Sequence, residues 1–207
     1  MTQSGQAVDL NRGETITLPQ AQLLLYRQVV PDEDGALFQR LKREIKWRQD
    51  SITLFGKRHP QPRLSAWYGN PGASYRYSGL NNTPLPWTAD LQYLRQRVQN
   101  ACSHPFNSVL LNYYRDGSDA MGMHADDEPD LGTEPVFASL SLGAPRRMRF
   151  VHHRREHPPM NLVLEPGSLL IMSGPTQDNW KHGINRTRRP CGPRINLTFR
   201  RIQAREQ

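Results

Sequence analysis

Three residues of this chain have the types and spacing to hold a metal ion. His124 and Asp126 form a His-x-Asp pair inside "MGMHADDEPD", and His182 follows in "NWKHGIN", 56 positions after Asp126. In an extended segment residues i and i+2 point to the same face, so His124 and Asp126 can reach one ion together. Alone the pair is weak evidence, because seven histidines among 19 acids in 207 residues supply about one such match by chance. Four acids around one histidine can also be turn chemistry, and His182 by itself reads equally well as a hydrogen-bonded histidine at a strand end. With His182 as the third ligand, two imidazoles and a carboxylate make the facial set of non-haem iron(II) sites, which leaves three positions open. Zinc on two histidines and an acid is the rival reading. It predicts a hydrolase, usually with HExxH on a helix, and that motif is absent.

A second constellation lies at 194–200, "RINLTFR". On a strand, Ile195, Leu197 and Phe199 fall on one face, and Arg194, Asn196, Thr198 and Arg200 on the other. Such a polar face is either solvated or lines a polar cavity. The two arginines are about 20 Å apart by strand rise. That is too far to grip one carboxylate, but their long side chains can reach the two ends of one small diacid. Nucleophilic hydrolysis has little support: there is no GxSxG, and neither Cys102 nor Cys191 sits in a recognisable nucleophile setting.

These residues need elements to position them. Seventeen prolines and fifteen glycines cut the chain into short pieces, without internal repeats. Residues 1–20 are polar and lack periodicity, which suggests a loose arm or an edge strand. Residues 34–49 carry Leu37, Phe38, Leu41 and Ile45 at helical spacing, with Asp32 or Asp34 as cap. A second helix is expected from about 88 to 102, with Thr88 as cap and Leu91, Leu94 and Val98 as its stripe. From Asn107 onward "SVLLNYY", "VFASLSL", "MRFVHH", "NLVLE", "SLLIM" and "RINLTFR" read as short strands between turns. Helices first and strands later point to an α+β domain with helices covering a strand-built core. A jelly roll of about eight strands fits the count.

The totals set the setting. The length suggests one large domain, or at most two small ones. No apolar run approaches the roughly 20 residues of a membrane span. The N-terminus lacks the basic-then-apolar order of a signal peptide. Cys102 and Cys191 could pair, but a chain with its own core does not need the bridge, so a reducing cytosol is the simpler reading. The net charge is +8, and only Lys42, Lys46, Lys57 and Lys181 of the 27 basic residues are lysine. Arginine's planar fork suits phosphate and carboxylate. A basic surface with the clusters "RRMRFVHHRREH" at 146–157 and "NRTRR" at 185–189 suggests a polyanionic partner, most often nucleic acid, with plain solubility charge as the alternative.

Taken together, His124-Ala-Asp126, the distant His182, "LNYYRDGSDAMGMHADDE" and "PRINLTFR" resemble the AlkB family of Fe(II)- and 2-oxoglutarate-dependent dioxygenases over roughly residues 50–202. The resemblance implies a double-stranded β-helix (jelly roll) core, with N-terminal helices packed outside and a nucleotide-recognition lid. It implies an arm at 1–20 and one dioxygenase domain at 21–207, with lid and support helix at about 50–105 and the jelly roll at about 106–202. His124, Asp126 and His182 would hold Fe(II). Asn112, Tyr114, Arg194, Asn196, Thr198 and Arg200 would bind 2-oxoglutarate, the arginines neutralising its carboxylates. "LFGK" at 54–57 and the stretch "RLSAWYGNPGASYRYSGL" are similar to the subclass that acts on duplex DNA, where Phe55 beside Gly56 would be a wedge. Leu54-Phe55 is otherwise an ordinary strand end. Tyr77 would stack on the flipped base, with Tyr75 nearby. The family commonly has phenylalanine at the position of Tyr77, which puts base preference in doubt. Asp127, with a catalytic part, and Glu128 would line the base pocket, and Asp130 would be a turn residue. Arg186, Arg188 and Arg189 would contact phosphate.

The implied reaction is oxidative dealkylation of 1-methyladenine, 3-methylcytosine and, as a further class, etheno adducts in DNA. It consumes O2 and 2-oxoglutarate. The alternatives are an RNA or single-strand demethylase of the same chemistry and a non-catalytic nucleic-acid-binding module. Double-stranded DNA is the expected partner, with single-stranded DNA or RNA next. The expected setting is a monomer, away from membranes, in a bacterial cytoplasm, since the longer N-terminal region of eukaryotic members is not seen.

Overall fold

A computed structural model describes residues 13–31, 35–54, 56–73, 75–77, 80–133 and 135–203. Strands β1 (Glu14–Thr15) and β2 (Gln22–Tyr26) precede helix α1 (Ala36–Glu44). Then come β3 (Ser51–Leu54), β4 (Lys57–Pro60), β5 (Leu64–Gly69), β6 (Tyr75–Tyr77) and β7 (Leu80–Asn82). Helix α2 (Ala89–Cys102) leads into β8 (Ser108–Tyr114), β9 (Met121–His124), β10 (Phe137–Gly143), β11 (Arg146–His152), β12 (Met160–Leu164) and β13 (Leu169–Ser173). The short helix α3 (Thr176–Asn179) precedes β14 (Trp180–Ile184) and β15 (Arg194–Arg200).

The last eight strands divide between two sheets. The larger has the order β1-β2-β13-β10-β15-β8-β5, and the smaller β12-β11-β14-β9. Every pairing is antiparallel. Leu170, Met172 and Phe137 of the large sheet pack with Met148, Phe150, Leu164 and Ile184 of the small one. Four strands facing four in this order form a double-stranded β-helix, the jelly roll expected from the strand count. Hairpins β3–β4 and β6–β7 form separate two-stranded sheets.

Alternation along the strands decides what each face covers. Ile195, Leu197 and Phe199 of β15 join Val109, Leu111, Ala138 and Leu140 in a core closed by Leu37, Phe38 and Leu41 of α1 and Leu91, Leu94 and Val98 of α2. Full burial of each such side chain contributes about 1.5–3 kcal/mol. The opposite faces of β15, β10 and β8 turn polar groups into the space between the sheets, including Ser139, Ser141, Asn112 and Arg194, all at most 3% exposed.

Helix α2 begins as expected, with the Thr88 hydroxyl accepting from the Leu91 N–H at 3.3 Å. Helix α1 differs. Its first cap is Gly35 at φ +68°, and it stops at Glu44; Asp32 and Asp34 lie outside the described residues. The stop has a local cause: Arg48 exchanges both backbone hydrogen bonds with Ser65, at 2.9 and 2.8 Å, which draws the chain into extended pairing beside β5. The order of helices first and strands later is also corrected. Strands β1, β2 and β5 extend the large sheet, because Leu23 and Leu25 alternate into the core. No described helix is long and apolar enough to cross a membrane.

Candidate metal and co-substrate site

His124 closes β9, Asp126 follows it in a loop, and His182 is central in β14. Cross-strand register sets His124 opposite His182, with ring centroids 4.5 Å apart. One ligand atom from each of His124, Asp126 and His182 falls within 4.8 Å of the others. Atoms bound to one ion at about 2.1 Å lie about 3 Å apart when mutually cis, so the three side chains need only draw in modestly to share an ion. The Nδ1 of His124 donates to the Gly122 carbonyl at 2.9 Å, which leaves Nε2 as the free donor for a metal. Burial, reinforced by the neighbouring charges of His124 and Arg200, pushes His182 down to about 3 against the pull of Asp126. The ring is therefore neutral and able to ligate. Burial alone would raise the Asp126 carboxyl, but the Arg200 guanidinium and the two histidines hold it below the usual carboxylate range. The Nη2 of Arg200 donates to Asp126 Oδ1 at 2.5 Å.

Beside the metal ligands lies an anion pocket. Arg194 is fully buried and 5.3 Å from the centroid of the Tyr114 ring. Its Nη2 donates to the Ser141 hydroxyl at 2.9 Å, and its Nε and Nη1 have no hydrogen-bond partner among the described residues. Burial lowers its proton affinity, and so does the charge of Arg146. A buried guanidinium with two free donors is costly unless an anion completes it. A carboxylate fits its fork bidentately. The residues present therefore fit a facial metal ion and a small dicarboxylate between it and Arg194. Asn112, Tyr114, Asn196, Thr198 and Arg200 line the same pocket.

The chain matches the model of the 2OG-Fe(II) oxygenase superfamily over residues 22–200. It is 39% identical over 189 residues to "DNA oxidative demethylase ALKBH2" of Bos taurus, covering 86% of this chain and 67% of that protein. It is also 39% identical over 178 residues to "Alpha-ketoglutarate-dependent dioxygenase alkB homolog 3" of Mus musculus, covering 80% of this chain and 60% of that one. The chain belongs to the AlkB family. It is an Fe(II)- and 2-oxoglutarate-dependent dioxygenase that uses O2. Among solved structures, "The structure of OsALKBH1" superposes with TM-score 0.63 at 19% identity, over 90% of this chain and all of that one, which bears on fold alone.

Other residues marked by the AlkB resemblance are placed unevenly. Asp127 is exposed, Glu128 half-buried, and Asp130 buried in a 3-10 turn at Pro129–Leu131. The Asp130 carbonyl accepts from the Gln203 N–H, which ties this turn to the chain after β15. Tyr75 and Tyr77 lie on β6, in register with Asn82 and Leu80. Phe55 lies outside the described residues. Gly56 takes φ +76° at the tight end of the β3–β4 hairpin, where Leu54 pairs with Lys57. Arg186, Arg188 and Arg189 are exposed on the loop between β14 and β15.

Three supporting residues escaped the sequence reading. Arg63 Nε donates to Asn112 Oδ1 at 2.8 Å, leaving the Asn112 amide N–H groups for a ligand. Gln177 Oε1 accepts the Asp126 backbone N–H at 3.0 Å. Ser141 holds Arg194. The serines had a signal, since "FASLSLG" puts Ser139 and Ser141 on one face of an otherwise apolar strand. Arg146, counted with the basic cluster, is instead buried and ties the carbonyls of Asp116, Asp119 and Asn185 together.

Proposed function

We propose that the chain reverses N-alkylation of bases in DNA, with 1-methyladenine and 3-methylcytosine as first substrates and etheno adducts as a further class. The observation that carries this reading is the facial His124, Asp126, His182 set opposite the unfilled donors of Arg194, in a family whose relatives include proteins named DNA oxidative demethylases. When bound, iron with 2-oxoglutarate and O2 supplies the oxidation of the N-alkyl carbon, so that succinate and CO2 are released and the alkyl group leaves as aldehyde. Arg194, Asn112 and Tyr114 orient the co-substrate. Arg200 and Gln177 fix Asp126. Glu128 and Asp127 favour a base that carries positive charge when alkylated at its pairing edge, with Tyr77 and Tyr75 on the lid.

Residues 21–207 are read as one dioxygenase domain, the lid and support helix at about 50–105, after an arm at 1–20. Duplex DNA is the favoured form because the β3–β4 hairpin forms a sheet of its own, separate from both main sheets, with Gly56 at its tight end. Arg186, Arg188 and Arg189, exposed on the β14–β15 loop, serve phosphate. Two free cysteines suit the reducing interior of a bacterial cytoplasm, and a monomer suffices for the site.

The test is a panel of methyl and etheno oligonucleotides, single- and double-stranded, assayed for succinate with Fe(II) and 2-oxoglutarate. Release that needs both the lesion and His124 supports the reading; no lesion-dependent release in the wild type removes it. Phe55→Ala should cut activity on duplex far more than on single strands, and equal losses would move the assignment to single strands or RNA.

A further inference from the structure

The outer face of the small sheet carries charge that the site does not use. Along β11, Arg146, Met148 and Phe150 point inward and are buried, while Arg147 is exposed and Arg149 half-buried on the other side. Register places Arg147 opposite Val163 and Arg149 opposite Asn161 of β12, and Val151 opposite Lys181 of β14. A groove of about 840 Å³ joins Arg147 and Arg149 to Arg186 and Arg189 of the β14–β15 loop, and no acidic residue lines it. Among the described residues, no ion pair or side-chain hydrogen bond occupies these four guanidiniums. The groove lies on the reverse of the strand that carries His182.

We propose that this groove is a phosphate track that takes the nucleic-acid backbone flanking the reacting base, carrying it from the β14–β15 loop across the outer face of the small sheet. Three features select a phosphate backbone over other anions. Arg147 and Arg149 stand two residues apart on one strand face, about 7 Å by strand rise, so each meets a different group along a chain of anions. All four cations are arginines, whose forks grip phosphate oxygens bidentately. The groove continues a loop already read as phosphate-contacting, so one backbone satisfies both. This inference rests on the nucleic-acid reading of the site and adds where the substrate's flank runs.

The test pairs Arg147→Gln/Arg149→Gln with Arg147→Lys/Arg149→Lys, and a methylated oligonucleotide of about five residues with one of about twenty, single- and double-stranded, which bracket ordinary site sizes. Each phosphate contact contributes about 0.9 to the slope of log K against log salt on duplex and about 0.7 on single strands. The Gln pair should therefore flatten the slope for the long substrate by roughly 1.8 or 1.4. The Lys pair should keep it, and turnover of the short substrate should match wild type. An unchanged slope overturns the proposal and leaves the face to an acidic protein. Equal loss on short and long substrates also overturns it, as damage reaching the site. A wild type that releases no succinate on any methylated oligonucleotide instead removes the nucleic-acid reading itself.

Discussion

Arg194 is wholly buried and its Nη2 is held by the Ser141 hydroxyl, so its binding role can be separated from its packing. Arg194→Lys keeps the charge and loses the fork. Hydrogen bonds to charged groups contribute about 1.5–3 kcal/mol each, so the KM for 2-oxoglutarate should rise roughly 10- to 100-fold. Fe(II) affinity, measured by anaerobic titration, should stay near wild type; a parallel loss of iron would show that Arg194 supports the metal ligands instead. This residue was legible because strand parity in "RINLTFR" separates it from Ile195, and the His-x-Asp pair was legible for the same local reason. Arg63, Gln177 and Ser141 were not. Their partners lie 49, 51 and 53 positions away, and no spacing rule in a single sequence encodes a contact that only the closed sheets create.

At the scale of elements, the pairing of β9 with β14 brings the two histidines together, and Gly183 permits it. A Cβ there would stand 2.8 Å from the Met121 carbonyl oxygen and 3.0 Å from that of Gly122, both backbone atoms that cannot swing away. Gly183→Ala should push β9 outward and weaken Fe(II) binding about 10- to 100-fold, while circular dichroism remains that of the wild type. A second element-level prediction concerns the turn after β8. Asp119 accepts from the Arg115 backbone N–H and from two of its side-chain nitrogens, all at 2.8 Å. Burial would raise the Asp119 carboxyl, but these bonds hold it below the ordinary value. A depressed folded pKa stabilises fully above the unfolded value of about 3.9, and that contribution is lost as pH falls through the folded pKa. The stability gap between wild type and Asp119→Asn, discounted for the solvent around Arg115 to about 1 kcal/mol, should hold from pH 7 to 5 and close below 4 in urea melts. Helix α2 and β15 were readable from periodicity and caps. Strands β9 and β14 were not, because "MGMH" and "WKHGI" lack a β-branched run and owe their shape to neighbours. The end of α1 was missed because pairing of Arg48 with Ser65 overrides its helical spacing.

For the molecule as a whole, the site lies between the two sheets and draws on both, so filling it should stabilise the entire fold. Mn(II) with 2-oxoglutarate, each at about 100 times its Kd, adds about 2.7 kcal/mol per linked site. At 2–4 °C per kcal/mol for a chain of this size, the melting temperature should rise by about 5–10 °C for each of the two ligands bound, and a chelator should reverse the metal's share. No shift would argue against the ligand set. The α+β jelly roll was legible at this scale because six strand-like runs follow two helical patterns. The reach of the large sheet was not, since β2 and β5 join it from positions far earlier in the chain. One feature of that sheet bears on how the protein is made. The last strand, β15, is inserted between β10 and β8, so a ribosome must finish residues 194–200 before those two can be bridged. Until then both present bare backbone edges, an invitation to sticking between nascent chains. Transcripts cut before Arg194 should thus yield insoluble polypeptide with no residual turnover, and dioxygenase activity should appear during translation only once β15 has cleared the exit tunnel.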